Sequence, residues 1–330
     1  MTRVAVDAMG GDNAPAEIVR GAVMARSESL HVLLVGQPDA LQSELAACRV
    51  SESDSLRIVP ASDVVAMDES PSIAARRKKD SSMAVALDLV KRGEADAAVS
   101  AGNSGAMMAL SLMTLGRIRG IERPAIATVF PVPSGGFVAL LDAGANVDCS
   151  AENLLQFAIM GNEFSRCVLN VRQPKVAVLS IGEEATKGNA LTREAAALIA
   201  SANLRFIGNV EGRHIFTGDA DVVVCDGFVG NVTLKAAEGT AEAVGAMMAL
   251  EFQASLWRML LGYLTRPIFR DLKKRTAYDS YGGAPLLGVN GVAIISHGRS
   301  NARAMVNAIR EAEDSVKSHI VERIRTAAAL

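Results

Sequence analysis

The chain has 330 residues, of which 50% are hydrophobic and 4% aromatic, and its formal net charge at pH 7 is −2. A nucleic-acid-binding protein needs a basic surface or aromatic side chains on which bases stack, so these numbers argue against that class. They fit a globular enzyme, because a chain of this length can bury one large core or two smaller ones.

The cysteines and histidines show no spacing typical of a metal site. Cys48, Cys149, Cys167 and Cys225 form no CxxC pair and lie in or beside apolar runs, which favours reduced, buried thiols in a cytosolic protein. The first strand pattern follows Met1 directly, so we expect no signal peptide. The sequence therefore predicts a cytoplasmic protein without a metal ion.

Short β-rich runs alternate with helical patterns, which predicts an α/β fold with a doubly wound, mainly parallel sheet and helices on both faces. No long linker or internal repeat divides the sequence, so we predict a single domain over residues 1–330. The predicted strands cover residues 3–8, 31–36, 56–61, 95–101, 125–132, 137–143, 175–181, 205–210, 221–226 and 291–297. The predicted helices cover residues 14–29, 38–48, 82–92, 105–116, 151–169, 192–201, 231–252 and 301–328.

The first strand-to-helix turn contains Gly10, Gly11, Asp12 and Asn13, followed by Pro15. The two glycines allow the backbone to approach a ligand closely, although a simple tight turn is an equal alternative. The chain contains neither G-x-G-x-x-G nor G-x-x-x-x-G-K-[ST], so the sequence does not demand a nucleotide.

Four consecutive cations, residues 76–79, precede the third predicted helix. Such a run is most often a solvated surface, and the alternative is a landing patch for an acidic partner or a phosphorylated carrier arm. Ser81 or Ser82 is expected to cap the helix that follows.

The turn Gly102-Asn103-Ser104-Gly105 lies in an uncharged window, residues 97–116, that is long enough to span a bilayer. These small and polar residues would weaken a membrane helix, whereas they suit a turn between a strand and a helix. We therefore predict no transmembrane segment, and we expect Asn103, Ser104 and nearby N–H groups to face an anion.

Lys187 follows a predicted strand in a loop of small and acidic residues that includes Gly182 and Glu183. One ammonium group in this position can lie beside a phosphate or a developing oxyanion. A solvent-exposed lysine without a role is the more common alternative.

The stretch over residues 221–239 organises the rest of the prediction. Val222–Val224 and Cys225 form a run typical of a strand buried on both faces. Asp226 ends this strand, and Asn231 is predicted to be the N-cap of the next helix. Such a helix start binds anions, so phosphate is the expected ligand. Loops of this kind on one sheet should face a common crevice. Cys225 is interpreted as a buried thiol, with a nucleophilic role as the alternative.

Residues 251–275 combine bulky apolar side chains with six Lys or Arg and two Asp or Glu residues. We predict a helical hairpin with a bend at Arg266-Pro267. Its composition suits contact with an anionic membrane surface, and burial against a partner subunit is a nearly equal alternative. The predicted membrane-contact residues are Trp257, Leu260, Leu261, Leu264, Ile268 and Phe269.

A glycine-rich loop from Tyr281 to Gly291 leads into the last predicted strand, which ends at His297. His297 is either a satisfied histidine at a strand end or a hydrogen-bond donor to reacting groups. The other histidines have no metal-ligand spacing.

Nine strings, which come in order and span essentially the whole chain, resemble the motifs of the phosphate acyltransferase family of the PlsX type. The resemblance implies transfer of a long-chain acyl group from acyl carrier protein to inorganic phosphate, without nucleotide or other cofactor. The product would be acyl phosphate for bacterial phospholipid synthesis, consumed by a downstream membrane acyltransferase. It also implies a homodimer whose sheet is similar to those of phosphotransacetylases and the isocitrate dehydrogenase group. The strings are DAMGGDNAP, RRKKDSS, SAGNSGA, GIERPA, GEEATKGN, GNVEGR, DVVVCDGFVGN, GGAPLLGVNG and SHGRSN.

Carried onto this chain, the family motifs imply that Lys187 and Asn231 are the catalytic residues. The positive charge of Lys187 would hold phosphate and offset its repulsion by the developing oxyanion. Asn231 would stabilise that oxyanion in the tetrahedral intermediate. The residues expected to line the substrate pocket are Gly10, Gly11, Asp12, Asn13, Asn103, Ser104, Gly182, Glu183, Asp226 and His297.

Two other classes of function compete with this one. A nucleotide-dependent dehydrogenase or kinase would need a phosphate-loop lysine or an acidic ribose ligand after G-x-G-x-x-G. A peripheral membrane scaffold would explain the apolar hairpin but would leave the polar strand-end loops without a role.

Overall fold

The computed structural model describes residues 1–276 and 282–329, and only the backbone of residues 271–276. Tyr281 and the side chains of the basic end of the predicted hairpin lie outside the described residues. The strands are β1 (Thr2–Asp7), β2 (Leu30–Gly36), β3 (Leu56–Pro60), β4 (Ala97–Ser100), β5 (Ala125–Pro131), β6 (Phe137–Leu141), β7 (Lys175–Leu179), β8 (Arg205–Val210), β9 (Val222–Val224), β10 (Ala284–Leu287) and β11 (Val292–Ile295). The helices are α1 (Ala16–Ala25), α2 (Pro38–Ala47), α3 (Pro71–Arg77), α4 (Ser82–Lys91), α5 (Ser104–Thr114), α6 (Ala151–Cys167), α7 (Ala190–Ser201), α8 (Gly227–Gln253), α9 (Leu256–Thr276), α10 (Ala302–Lys317) and α11 (Ile320–Ala327), with a short 3-10 helix at Gly212–Phe216.

The strands form one 11-stranded sheet in the order β3-β2-β1-β4-β11-β10-β5-β6-β9-β7-β8. A first parallel block contains β3, β2, β1, β4 and β11, and a second contains β6, β9, β7 and β8. The prediction of a doubly wound, mainly parallel sheet is confirmed. The sequence analysis missed β10, because Ala284–Leu287 stands between glycines that we interpreted as a loop.

Antiparallel strands join the two blocks and reverse the direction of the second. β10 pairs antiparallel with β11 and with β5, and β5 pairs antiparallel with β6. The carboxyl ends of the two blocks therefore lie at opposite edges of the sheet. This corrects the expectation that all the glycine-bearing turns share one edge, which assumed a uniform strand direction.

Alternation along the strands supplies both faces of the sheet with apolar side chains. In β1, Val4 and Val6 belong to the core that includes α1 and α10, whereas Ala5 belongs to the core that includes α4 and α5. In β7, Val178 packs with residues of α6 and α7, and Ala177 packs on the face covered by the start of α8. The helices thus cover the sheet from both sides, as predicted.

Helix α8 begins earlier than predicted. Asp226, and not Asn231, is its N-cap, since the backbone N–H of Val229 donates to Asp226 Oδ1 at 2.9 Å. Gly227 and Gly230, which precede the predicted helix over residues 231–252, form its first turn instead. A Cβ at either position would collide with the loop that follows β6. Asn231 therefore lies inside the helix, and its amide is not used as a cap.

Three further boundaries differ from prediction. The predicted helix over residues 301–328 starts where expected, with Asn301 as its N-cap, but divides at His319, whose φ of 55° is left-handed. The hairpin turns at residues 254–255 and not at the predicted Arg266-Pro267, and α9 continues through Pro267. The short helix α3 was not predicted.

Candidate active site

The strands of the second block carry their following loops to one edge of the sheet, because β6, β9, β7 and β8 are parallel. Lys187 lies in the loop after β7, and Asp226 and Asn231 follow the adjacent strand β9. Gly182 and Glu183 belong to the same loop as Lys187. Five of the predicted site residues therefore share this edge.

Asp142 directly follows β6 and is fully buried. It organises the loop after β6. Its carboxylate accepts the backbone N–H groups of Ile126 at 3.0 Å, Ala145 at 3.0 Å and Asn146 at 2.6 Å. Burial raises the pKa of Asp142 above its ordinary value, and these hydrogen bonds oppose the rise. Asn146 in turn accepts the N–H of Gly227 at 2.7 Å, so the loop is tied to the first turn of α8.

Asn231 lies directly against this loop. An added Cβ at Gly144 would stand 3.4 Å from Asn231 Cβ, and Gly144 has a φ of +133°, so a larger residue there is strained and crowds the asparagine. The Asn231 side chain is exposed and makes no hydrogen bond with any residue in the described ranges. Its amide is free to donate to a substrate oxygen. The sequence analysis did not predict this contact between Asn231 and the loop over residues 142–146.

Lys187 is exposed at the tip of its loop, and its backbone is fixed. Its N–H donates to the Glu184 carbonyl at 2.9 Å, and the buried amide of Asn209 donates to the same carbonyl at 3.0 Å. Gly182 is buried beneath the Lys187 side chain, where an added Cβ would approach Lys187 Cγ to 2.9 Å. Within the described part of the chain, the ammonium group has no hydrogen-bond or ion-pair partner.

The carboxylate of Glu183 is engaged by residues that follow β8. Arg213 donates to Glu183 Oε1 at 3.1 Å, and His214 Nε2 lies 3.5 Å from the same oxygen. His214 Nδ1 accepts the backbone N–H of Glu211 at 3.0 Å, which leaves the proton of the neutral imidazole on Nε2. Glu183 therefore connects two loops at this edge, and its contact with substrate stays a prediction.

The cysteines near this edge are poor nucleophiles. Burial raises the pKa of the Cys225 thiol well above its ordinary value, and it raises the pKa of Cys149 to about 11. Both groups are therefore thiols rather than thiolates near neutral pH. Among residues 1–276 and 282–329, no cluster of three or more His, Cys, Asp or Glu residues could hold a metal ion.

The loops of the first block form a second group at the opposite edge. Buried Asp7 accepts the hydroxyl of Ser100 at 2.7 Å, which links the ends of β1 and β4. The N–H of Asp12 donates to the Gly298 carbonyl at 2.8 Å, so the loop after β11 joins them. Gly10 and Gly11 lie in this packed region beside residues 101–102.

The asparagines of this first group hold loops together. The amide of Asn103 donates to the carbonyls of Met67 and Glu69 at 2.9 Å each, and its oxygen caps α5 by accepting the N–H of Ala106. Asn13 donates to the carbonyls of residues 299 and 300. Ser104 is exposed at the start of α5. Substrate contact by these residues remains a prediction.

Helix α8 begins in the second group, and charged residues on it act on His297, which follows β11 of the first block. Asn231, Lys235 and Glu238 share one face of the helix, because they are four and three residues apart. Burial lowers the pKa of His297 below its ordinary value; the charge of Lys235 lowers it further, and Glu238 and Asp12 oppose the shift. Lys235 and Glu238, which share a face of α8 with Asn231, therefore lie close enough to His297 for their charges to act on it.

The basic run and the hairpin contribute surfaces outside these loops. Lys78 is turned inward, where Nζ donates to the Val64 carbonyl at 2.6 Å and lies 2.8 Å from Glu69, so only its neighbours in the run are exposed. Phe269 packs against Phe252 with ring centroids 5.2 Å apart, within the hairpin. In the part of the chain that the structure describes, no helix is long and apolar enough to cross a bilayer. The other predicted membrane-contact side chains are exposed: Trp257, Leu260, Leu261, Leu264 and Ile268.

Comparisons with known proteins agree with this architecture. A family model described as "Fatty acid synthesis protein" matches residues 2–323. A phosphate acyltransferase from Heliobacterium modesticaldum is 53% identical over 98% of this chain and 96% of the relative, and one from Geotalea daltonii is 52% identical over 98% and 94%.

Solved structures with the same fold include a phosphotransacetylase and a branched-chain phosphotransacylase. A phosphotransacetylase from Streptococcus pyogenes aligns with a TM-score of 0.65 at 16% identity, covering 95% of this chain and 94% of that one. A branched-chain phosphotransacylase from Enterococcus faecalis aligns with a TM-score of 0.59 at 14% identity, covering 96% and 99%. At these identities the likeness shows the fold alone.

Proposed function

The chain belongs to the phosphate acyltransferase family, whose model matches residues 2–323, and we infer from this premise that it moves an acyl group to inorganic phosphate. It is an acyltransferase, and its product is an acyl phosphate. The single observation that carries this function is the identity of about half of all residues with phosphate acyltransferases over nearly the full chain.

We propose that the acyl donor is a fatty acyl thioester of acyl carrier protein and that the acyl phosphate supplies phospholipid synthesis through a membrane acyltransferase. Arg76, Arg77 and Lys79 are exposed on and after α3, and a carrier with acidic surface residues would complement them. Neutralising these three cations should raise KM for the carrier thioester and leave KM for a small thioester unchanged. If the substitutions changed KM by the same factor for both donors, the result would contradict this contact.

The proposed chemistry needs no enzyme nucleophile. A phosphate oxygen attacks the carbonyl carbon of the thioester, and the carbonyl electron pair moves onto oxygen. The tetrahedral intermediate then collapses, the C–S bond breaks, and the leaving sulfur takes the proton that the hydrogen phosphate gives up. The protein has to hold two reactants in contact and to stabilise the oxyanion.

Lys187 and Asn231 are proposed for these two tasks. The Lys187 ammonium is unpaired among the described residues and follows β7, next to the strand that leads to Asn231. A positive charge there reduces the repulsion between phosphate and the developing oxyanion. The Asn231 amide can donate to that oxyanion, and the protonated state of Cys225 agrees with direct attack by phosphate.

The proposed pocket also includes the loops of the first block. Gly10, Gly11, Asp12, Asn13, Asn103, Ser104 and His297 would supply backbone N–H groups and a shaped wall, and Gly182, Glu183 and Asp226 would line the opposite side. The influence on His297 of the Lys235 and Glu238 charges, which lie on the same face of α8 as Asn231, supports this arrangement.

Incubation with an acyl carrier protein thioester and radiolabelled phosphate, without ATP, tests the function. We expect free thiol and labelled acyl phosphate in equal amounts, and no thiol release when phosphate is omitted. Thiol release that does not depend on phosphate would indicate a thioesterase. A requirement for ATP would contradict the proposal.

We further propose a cytoplasmic homodimer that contacts anionic membranes peripherally through α8 and α9. Exposed apolar side chains such as Trp257, at 67%, and Leu264, at 64%, form a larger apolar surface than a solvated hairpin needs. Part of this surface would pair with a second copy, and part would enter the interface of the bilayer.

Flotation with anionic vesicles and mass measurement in solution separate these two contacts. Replacing Leu260 and Leu261 with Asp should abolish flotation, while activity on a soluble thioester is kept. The control Met24→Asp, at an exposed site on α1, should float normally. Dissociation of the double variant into monomers would assign these leucines to the subunit interface instead, and unchanged flotation would contradict the membrane contact.

A further inference from the structure

The carbonyl of Glu184 receives two hydrogen bonds that together fix the turn carrying Lys187. One comes from the backbone N–H of Lys187 itself, at 2.9 Å, and the other from Asn209 Nδ2, at 3.0 Å. Asn209 belongs to β8, so a side chain of the neighbouring strand reaches across to the Lys187 loop. Without this amide, no described residue outside the loop donates a hydrogen bond to the Glu184 carbonyl.

The register of the sheet explains how Asn209 reaches the loop. Asn209 is paired with Val178 of β7, so both side chains point to the same face. Ser180, two residues after Val178, points to that face as well. Both polar side chains therefore lie under the loop that begins at residue 181.

Asn209 is an unusual residue for this position. It is 7% exposed, and its Oδ1 has no hydrogen-bond partner, as is also true of the buried Ser180 Oγ, within the described residues. An unpaired buried oxygen is unfavourable, so an apolar residue would suit this site better for stability alone. The donor Nδ2 is the only group of the side chain with a partner, and that partner is Glu184.

A second, outer contact joins the same two segments. Glu183 accepts from Arg213 at 3.1 Å, and Arg213 Nε also lies 3.1 Å from Glu211. Arg213 and Glu183 are both well exposed, so solvent and salt weaken this pair. The buried Asn209 contact therefore contributes more to the placement of the loop.

We propose that Asn209 is a positioning residue that holds the Lys187 turn in its productive geometry. The inference rests on the proposed function, in which the Lys187 ammonium binds phosphate. A misplacement of a catalytic group by about 1 Å can lower the rate by about 10²-fold, so a side chain that never touches substrate can have a large effect.

The test is a double-mutant cycle with Asn209→Leu, which keeps the size of the side chain and removes the donor. In the otherwise unchanged protein we expect kcat/KM for phosphate to fall about 10–100-fold, with KM for the acyl thioester unchanged. In the Lys187→Ala background the same substitution should have no further effect, because the group it positions is already gone.

Two further variants keep the test interpretable. Asn209→Asp retains size and polarity but replaces the donor with an acceptor, and it should give the same pattern if Asn209→Leu fails to fold. Asn290→Leu is the matched control, since Asn290 also donates to a loop carbonyl, that of Arg117, before β11. This control should leave kcat/KM for phosphate unchanged.

The outcomes distinguish this inference from the function on which it rests. If the Asn209 substitutions lower activity by the same factor with and without Lys187, their effect is a general structural one and the positioning role is refuted. If Lys187→Ala is inactive but both Asn209 variants are fully active, the inference also fails while the proposed function stands. If Lys187→Ala itself keeps full activity, the role assigned to Lys187 is wrong, and the positioning role of Asn209 is wrong with it.

Discussion

In the first parallel block the amides of Asn13 and Asn103 donate to neighbouring loop carbonyls, whereas in the second block the side chains of Lys187 and Asn231 make no hydrogen bond with any described residue. Each block nevertheless builds its loops on a buried aspartate, Asp7 or Asp142. The framework is similar in the two blocks, and in the second the Lys187 and Asn231 side chains have donors that no described residue occupies.

In the proposed site, this difference would separate two tasks. Polar groups already engaged with the protein hold a preformed wall, and they change little when a ligand enters. Unengaged donors on a fixed backbone can be directed at charge that develops during a reaction, without first breaking bonds to the protein. From this comparison we propose that the second block carries the chemistry and that the first gives the site its shape.

The sharpest test of this division is Lys187→Ala. We expect kcat/KM for phosphate to fall about 10²–10³-fold, as is typical when one stabilising group is removed from a transition state. Lys187→Arg is the matched variant and should recover part of the loss, because it restores the charge with a different shape. A folded Lys187→Ala protein with normal activity would remove the second block from the chemistry.

Asn231→Leu should lower kcat by about 10²-fold. It should leave the thermal midpoint nearly unchanged, because the side chain is exposed and makes no hydrogen bond with a described residue. Steady-state rates at saturating phosphate, combined with thermal melts, measure both effects. Asn231→Gln provides the comparison, since it keeps the amide but moves it by one methylene. A large loss of stability with little loss of rate would instead place Asn231 with the structural asparagines of the first block.

Asn103→Ala should show the opposite pattern. The substitution removes the cap of α5 and leaves the carbonyls of Met67 and Glu69 without their donor, so we expect a loss of about 1–3 kcal/mol in the free energy of unfolding. Activity per folded molecule should fall less than tenfold. The loss of an oxyanion donor would instead lower it about 10²–10³-fold. Denaturant melts and rates well below the melting temperature separate the two quantities, and a 10²-fold loss of rate in a stable protein would break the comparison.

The smallest effect is expected for Cys225→Ser. The thiol is buried and protonated, with its pKa well above the ordinary value, so it cannot act as a thiolate at neutral pH. We expect activity within a few-fold of the unchanged protein and a pH–rate profile of the same shape. Inactivation of a normally folded variant, or a trapped acyl-enzyme on residue 225, would favour a covalent route.

Much of the fold follows from local patterns. The short apolar runs marked every strand except β10, and the cap of α4 was predicted to be Ser81 or Ser82, of which the structure uses Ser81. The strings around Lys187 and Asn231 also indicated the family. These features depend on residues close together in sequence, where side-chain periodicity and capping act directly.

Other features depend on distant segments, and no local pattern specifies them. The helix start at Gly227 is fixed by Asn146, and Lys78 leaves the basic surface because Val64 and Glu69 receive its ammonium. The opposite directions of the two blocks depend on the antiparallel pairing of β10 with β5 and β11.

The sequence by itself determined the sheet class, the family and the pair Lys187 and Asn231 as candidates. Only the tertiary structure decided that Asn231 lies inside a helix against Gly144, and that Asn209 reaches the Lys187 turn from the next strand. The physical reason is that hydrogen bonds between loops depend on strand order and register, which arise when the sheet assembles and not from neighbouring residues along the chain.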